Sequence, residues 1–377
     1  MCIILCVPIF SQPVFAEWES DNWLSNIIGP ERILFGDEFG CQGLEGIDAV
    51  DEVWTIESCK EYLMGNTHAS RWGESPISFG LNGLVMKEVV ADELVRAGFK
   101  IVGDTSGDDH RLEKVELNGG SLEKKVANTT LLDSFGEDSL VSIEWIARIH
   151  DLRVREDKDA IEWLEKQAVW FTTWGEWNYH NISGNRANFS ISGNFISVSI
   201  PKVSGDSWSV PGTVKLLFNQ SIISVYRGCN LTSDETSPDS PCFTEQQYPE
   251  IAIETRHLST GWRPINGGVL ITMNPGEIAY IELDGPPTNA TLHPVNTFND
   301  LHHSVTIVGI HTTNLFQWSS DFVDSPLRFT WLLVQPSSEE LGLIIPALAV
   351  STLIATPIVI RYLLKNDGLS SIDDDRA

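Results

Sequence analysis

Three textures of apolar and polar positions follow one another along the chain. In residues 17–178 short apolar runs alternate with helical spacing. Arg32-Ile33-Leu34-Phe35 reads as a strand ending in Gly36-Asp37-Glu38, and Pro76 to Phe79 as another ending in Gly80-Leu81-Asn82-Gly83. From Leu84 to Arg96, Val85, Val89, Val90, Leu94 and Val95 recur close to helical spacing, and Gly98 stands where a C-cap belongs. Phe99 to Val102 follows as a strand with Gly103 to His110 as its exit loop, which makes a βαβ unit. Leu140 to Ile149 reads as extended and Glu156 to Lys166 as a charged helix with Ile161 and Leu164 inside. Ala168 to Trp174 reads as a strand with Trp170 and Trp174 on one face.

Residues 179–336 change to short strands and turns. Ile196, Val198 and Ile200 alternate with Ser197 and Ser199, and 213–218, 221–226 and 250–254 continue the pattern. Val269 to Met273 and Glu277 to Leu283, joined across Asn274-Pro275-Gly276, carry a hairpin signal; Ser304 to Ile310 and Leu327 to Val334 close the series. The third texture is the uncharged run Leu341 to Ile360, about 30 Å long as a helix, the thickness of a bilayer core. Glu339 and Glu340 precede it and Arg361 and Lys365 follow it, which predicts a cytoplasmic C-terminus.

The predicted fold class is therefore an α/β (or α+β) N-terminal ectodomain, an all-β sandwich-like domain and a single C-terminal transmembrane helix. The expected boundaries are a signal peptide over 1–16, an α/β head over 17–178, a membrane-proximal sandwich over 179–336, a span over 341–364 and a cytoplasmic tail over 365–377. Cys2 to Phe10 supplies the apolar region of the signal, although no Lys or Arg precedes it, and Val14-Phe15-Ala16 supplies a cleavage site. Within the head, Phe35-Gly36-Asp37-Glu38, Glu61-Tyr62-Leu63 and Trp72-Gly73-Glu74 echo Phe135-Gly136-Glu137-Asp138, Glu162-Trp163-Leu164 and Trp174-Gly175-Glu176, a faint trace of two lobes. The texture of Leu140 to Trp174 resembles the strand–helix–strand unit of amidotransferase-like α/β domains. No catalytic cysteine motif accompanies it, and the resemblance implies nothing about activity.

A net charge of −27 argues against nucleic acid and anionic lipid head groups as partners, and the expected setting is a prokaryotic, archaeal cell surface. Without the signal peptide four cysteines remain, and the simplest pairing for an oxidising compartment is Cys41–Cys59 and Cys229–Cys242. Six sequons, at Asn128, Asn181, Asn188, Asn219, Asn230 and Asn289, are candidate glycosylation sites.

Nucleophile-elbow, zincin, Walker and dinucleotide-binding motifs are absent from the sequence. Asp104, Asp108, Asp109 and His110 form the one constellation with chemical promise. Three carboxylates and an imidazole within seven residues, past a strand's carboxyl end, suit a divalent cation such as Ca2+. Asp37 and Glu38 are a possible second loop converging on the same point. The thirteen tryptophans fit core packing or sugar stacking. The expected function is that of a single-pass surface protein binding a protein or carbohydrate ligand. The alternatives are a metal-dependent extracytoplasmic hydrolase and a membrane-tethered solute-binding protein.

Overall fold

Strands drawn from both ends of the chain build its central sheet. The computed structural model describes residues 24–26, 29–122, 130–146, 157–228, 243–312, 317–319, 325–337, 355–357 and 359–362. Residues 1–335 form one compact unit and 336–377 a second.

Helix α1 (Gly29–Phe35) leads into strand β1 (Glu38–Leu44). Helix α2 (Trp54–Asn66) precedes β2 (Ser78–Gly80), and α3 (Glu88–Ala97) precedes β3 (Ile101–Gly103) and β4 (Glu113–Val115). Strand β5 (Ser139–Ile146), helix α4 (Lys158–Leu164), the two-residue strand β6 (Trp170–Phe171) and helix α5 (Trp174–Asn185) follow. Strands β7 (His303–Thr312) and β8 (Phe329–Gln335) complete the sheet. Its order is β4-β3-β2-β1-β8-β7-β5, with β6 also paired to β7, and every pairing is parallel. Strands β1 and β8 are buried along almost their whole length. Parallel strands covered on both faces tolerate such continuous runs, whereas a half-exposed strand would alternate.

Residues 188–295 carry two antiparallel sheets. Four strands are ordered 261–265, 268–273, 212–218 and 290–295. Five are ordered 243–247, 222–228, 278–283, 195–199 and 188–192. They enclose a second core around Ile196, Val198, Leu216, Val269, Ile271 and Ile281.

The expected fold class is thereby corrected. Residues 303–312 and 329–335, read as the closing strands of a membrane-proximal sandwich, lie inside the parallel sheet between β1 and β5. The antiparallel region thus falls between two halves of one sheet rather than after a finished head. The membrane helix and the membrane localisation are corrected as well: no helix among the described residues is long and apolar enough to cross a membrane. Of the stretch 341–364, residues 355–357 and 359–362 are described, helical and exposed, and the others lie outside the described residues. The signal peptide over 1–16 and the tail over 365–377 lie outside the described residues.

Local elements are corrected too. Residues 32–35 belong to α1, because Pro30 sits in the first helical turn, where its missing N–H is harmless. Trp174 opens α5 instead of ending a strand; Thr173 and Glu176 form the Thr-x-x-Glu pattern of a helix start, and the Glu176 N–H donates to Thr173 Oγ1 at 3.3 Å. Asn274-Pro275-Gly276 joins no hairpin. The strand before it belongs to the four-stranded sheet and the strand after it to the five-stranded sheet, so the turn is a corner between sheets.

Candidate functional site

Across the sheet β1 to β4 and then β5, β7 and β8 step in the same direction, so the strands form a nearly closed parallel barrel in which β1 neighbours the last strand β8. Parallel barrels carry ligand sites at the carboxyl ends of their strands, where the exit loops gather. A cleft of about 260 Å3 opens at this place, lined by Gln42 and Leu44 of β1, Gly80 of β2, Val334 of β8, and Asp48, Asn82 and Leu84 from the exit loops.

The loops around the cleft are stitched together. Asn82 (φ 52°), Gly83 (φ 74°) and Asp104 (φ 52°) turn the exits of β2 and β3 through the left-handed region, which Gly, Asn and Asp visit most easily. The Gly83 N–H donates to Asp104 O at 2.8 Å, Leu81 N–H to Gly103 O at 3.1 Å, and Thr105 Oγ1 to Leu84 O at 2.7 Å. Asp48 and Asn82 are exposed at the mouth, while Gln42 is buried in the wall. The lining thus offers carboxylate and amide groups to a small polar molecule.

Of the candidate site residues named from the sequence, only Asp104 lies beside this cleft, its O accepting from Gly83 N. The chain after Asp104 does not stay at the carboxyl end. Glu113 pairs with Ile101, the first residue of β3, so residues 104–112 run back along the sheet to start β4. Asp108 meets Lys114 Nζ at 3.0 Å, and Asp109 meets Arg111 Nη2 at 2.7 Å, with Arg111 also 2.7 Å from Asp92. Hydrogen bonding from the Arg111 guanidinium holds the Asp109 carboxyl well below the usual carboxylate range. His110 points outward, its side chain 92% exposed. Among the described residues no group of three or more His, Cys, Asp or Glu side chains is placed to hold a metal ion.

Asp37 and Glu38 do not converge with Asp104, because they open β1 at the opposite end of a parallel sheet. Both are fully buried. Asp37 accepts from Arg32 Nε and Nη2 at 3.0 Å each and from Phe329 N and Trp331 Nε1 at 3.2 Å each. Glu38 accepts from Ser78 Oγ at 2.5 Å and from Gly175 N at 2.8 Å, and burial pushes its carboxyl up from the ordinary value.

The remaining candidates scatter. Cys41 of β1 and Cys59 of α2 are fully buried and unbridged, and burial together with the neighbouring Cys59 sulfur pushes the Cys41 thiol up. Cys229 and Cys242 lie outside the described residues, as do Asn128 and Asn230. Asn188, Asn219 and Asn289 are exposed. Asn181 sits inside α5, half-buried with Oδ1 covered, and Ser183 of the same sequon donates to Val210 O at 2.8 Å. Trp170 and Trp174 are wholly buried.

Sequence reasoning missed Gln42, Asp48 and Asn82. The signal was present: Leu81-Asn82-Gly83 follows directly on β2 as a polar strand exit. No protein-family model matches the chain, and no curated protein and no solved structure shows significant similarity to it.

Proposed function

We propose that the protein is a binding protein for a small hydroxylated ligand of monosaccharide size, held at the carboxyl ends of β1, β2 and β8. The observation that carries this reading is the cleft of about 260 Å3 at the carboxyl ends of the parallel strands β1, β2 and β8. Its size is just below the usual range for drug-sized ligands, which suits a single sugar ring better than an extended chain. Asp48, Asn82 and Gln42 offer acceptors and amide donors, the complement of a polyol, and the −27 charge disfavours an anionic solute there. The metal-hydrolase alternative gains nothing from Asp108 and Asp109, whose carboxylates are engaged by Lys114 and Arg111.

A panel of neutral monosaccharides and polyols screened by thermal shift tests the proposal. At least one member should stabilise the full chain, and the shift should vanish in Asp48→Ala combined with Asn82→Gly, which keeps the left-handed turn. A panel without any shift, or a shift unchanged in the double variant, would overturn it.

A further inference from the structure

At the amino ends of β1 and β8, away from the cleft, lies a group of arginines unusual in so acidic a chain. Arg32, Arg71 and Arg328 surround the turn at Gly36. Arg32 is neutralised by Asp37. Arg71 Nη2 meets Glu176 Oε2 at 3.1 Å, its guanidinium carbon lies 4.4 Å from the centre of the Trp72 ring, and its side chain is 26% exposed.

Among the described residues Arg328 forms no ion pair with a carboxylate. It is 8% exposed, and its Nη1 donates to Pro326 O and Leu327 O at 3.1 Å each. Its other guanidinium nitrogens make no hydrogen bond to any described residue. The nearby carboxyls are already engaged. Asp37 receives four hydrogen bonds, and Glu176 receives Arg71, Trp72 Nε1 at 2.6 Å and Thr172 Oγ1 at 3.2 Å. Taking a guanidinium out of water is costly unless an anion compensates it. Gly36 is where the two arginines meet: a Cβ built there would lie 3.0 Å from Arg328 Nε and 3.4 Å from the Arg71 guanidinium carbon. The absence of that Cβ leaves room for both forks, and Gly36 itself has φ 114°, which disfavours any side chain.

We propose that Arg71 and Arg328, converging on Gly36, form a binding site for a small oxyanion. Two guanidinium groups with free donors match the geometry of phosphate, sulfate or a carboxylate, which accept hydrogen bonds in pairs. The partial exposure of Arg71 provides the approach. His257 registers the unneutralised field: its Nε2 is 2.8 Å from Pro326 O, and burial followed by the charges of Arg328, Arg256 and Arg71 holds its pKa at about 4. Burial likewise lowers Arg328 to about 10, with Arg32 and Arg71 acting in the same direction and Asp37 and Glu176 against it. A bound anion would relieve both.

The test melts the full chain in inorganic phosphate, sulfate, acetate or chloride at matched ionic strength. Phosphate, sulfate or acetate should raise Tm above chloride, and the strongest of the three identifies the oxyanion class. Arg328→Gln should weaken half-saturation by that ion about tenfold or more, the loss of a charge-assisted hydrogen bond. Arg111→Gln, beside the edge strand β4, should respond like the wild type. Should Arg328→Gln fail to fold, isothermal titration of the wild type with the same ions replaces it, with saturable heat expected. Equal responses to all four ions, an undiminished response in Arg328→Gln, or no saturable heat would overturn the site.

Discussion

His180 shows how one buried side chain sets a pH response. It sits on α5, with Nε2 2.8 Å from Thr213 Oγ1 and its ring 4.7 Å from that of Trp170. Burial lowers its pKa to about 3. Once pH falls below the ordinary histidine value of about 6.5, the unfolded chain takes up a proton that the folded protein refuses. The stability contributed by this depression is complete above that value and is lost as pH falls towards about 3. His257, held at about 4, acts in the same sense. Glu38 acts in the opposite sense, since its raised carboxyl favours the protonated folded state, and that contribution is lost as pH rises through its elevated pKa. We expect Tm to fall between pH 7 and pH 5 at constant ionic strength, and His180→Gln, which keeps a partner for Thr213, to reduce the slope. An unchanged slope would remove His180 from the acid response. Neither His180 nor its partner Thr213 stood out in the sequence, because a histidine's burial depends on residues more than thirty positions away.

Helix α3 shows what local pattern can and cannot settle. Its helical spacing was read from Val85, Val89, Val90, Leu94 and Val95, but the helix starts at Glu88, and Val85 and Val89 are 61% and 54% exposed. Val90, Ala91, Leu94 and Ala97 form the buried stripe. The C-cap was legible: Gly98 has φ 91° and its N–H reaches Leu94 O and Val95 O. No heavy atom lies within 4 Å of a Cβ built on Gly98, so Gly98→Ala introduces conformational strain without a clash. The expected loss is about 1 kcal/mol in urea denaturation. A loss several times larger would mean that α3 is held chiefly by its cap. The start of α5 was equally readable in Thr173-Trp-Gly-Glu176, yet the apolar residues before it favoured a strand, and two residues of β6 satisfied that preference before the helix took over.

At the scale of the molecule, β1 pairs with β8 nearly three hundred residues later, and β5 pairs with β7. A fragment of residues 17–178, the head expected from the sequence, therefore lacks the two strands that fill the middle of its sheet. We expect it to show no cooperative thermal or urea transition by circular dichroism, while the full chain melts cooperatively. A fragment with its own sharp transition would restore the sequential division. Local chemistry is what the sequence alone determined: the period-two alternation of Ile196, Val198 and Ile200, all buried in the structure, the glycine after α3, and the polar exit of β2. These depend on neighbours within a few residues, so a linear reading reaches them. Strand membership and charge pairing were decided by tertiary structure. Phe329 to Gln335 suits any fully buried strand, and only the parallel register with β1 assigns it to the central sheet. Asp104, Asp108 and Asp109 are close in sequence, but the return of the chain to β4 separates them and gives two of them to Lys114 and Arg111. The cleft and the arginine cluster arise only where distant strands become neighbours, because side chains remote in sequence have no common address until the sheet is closed.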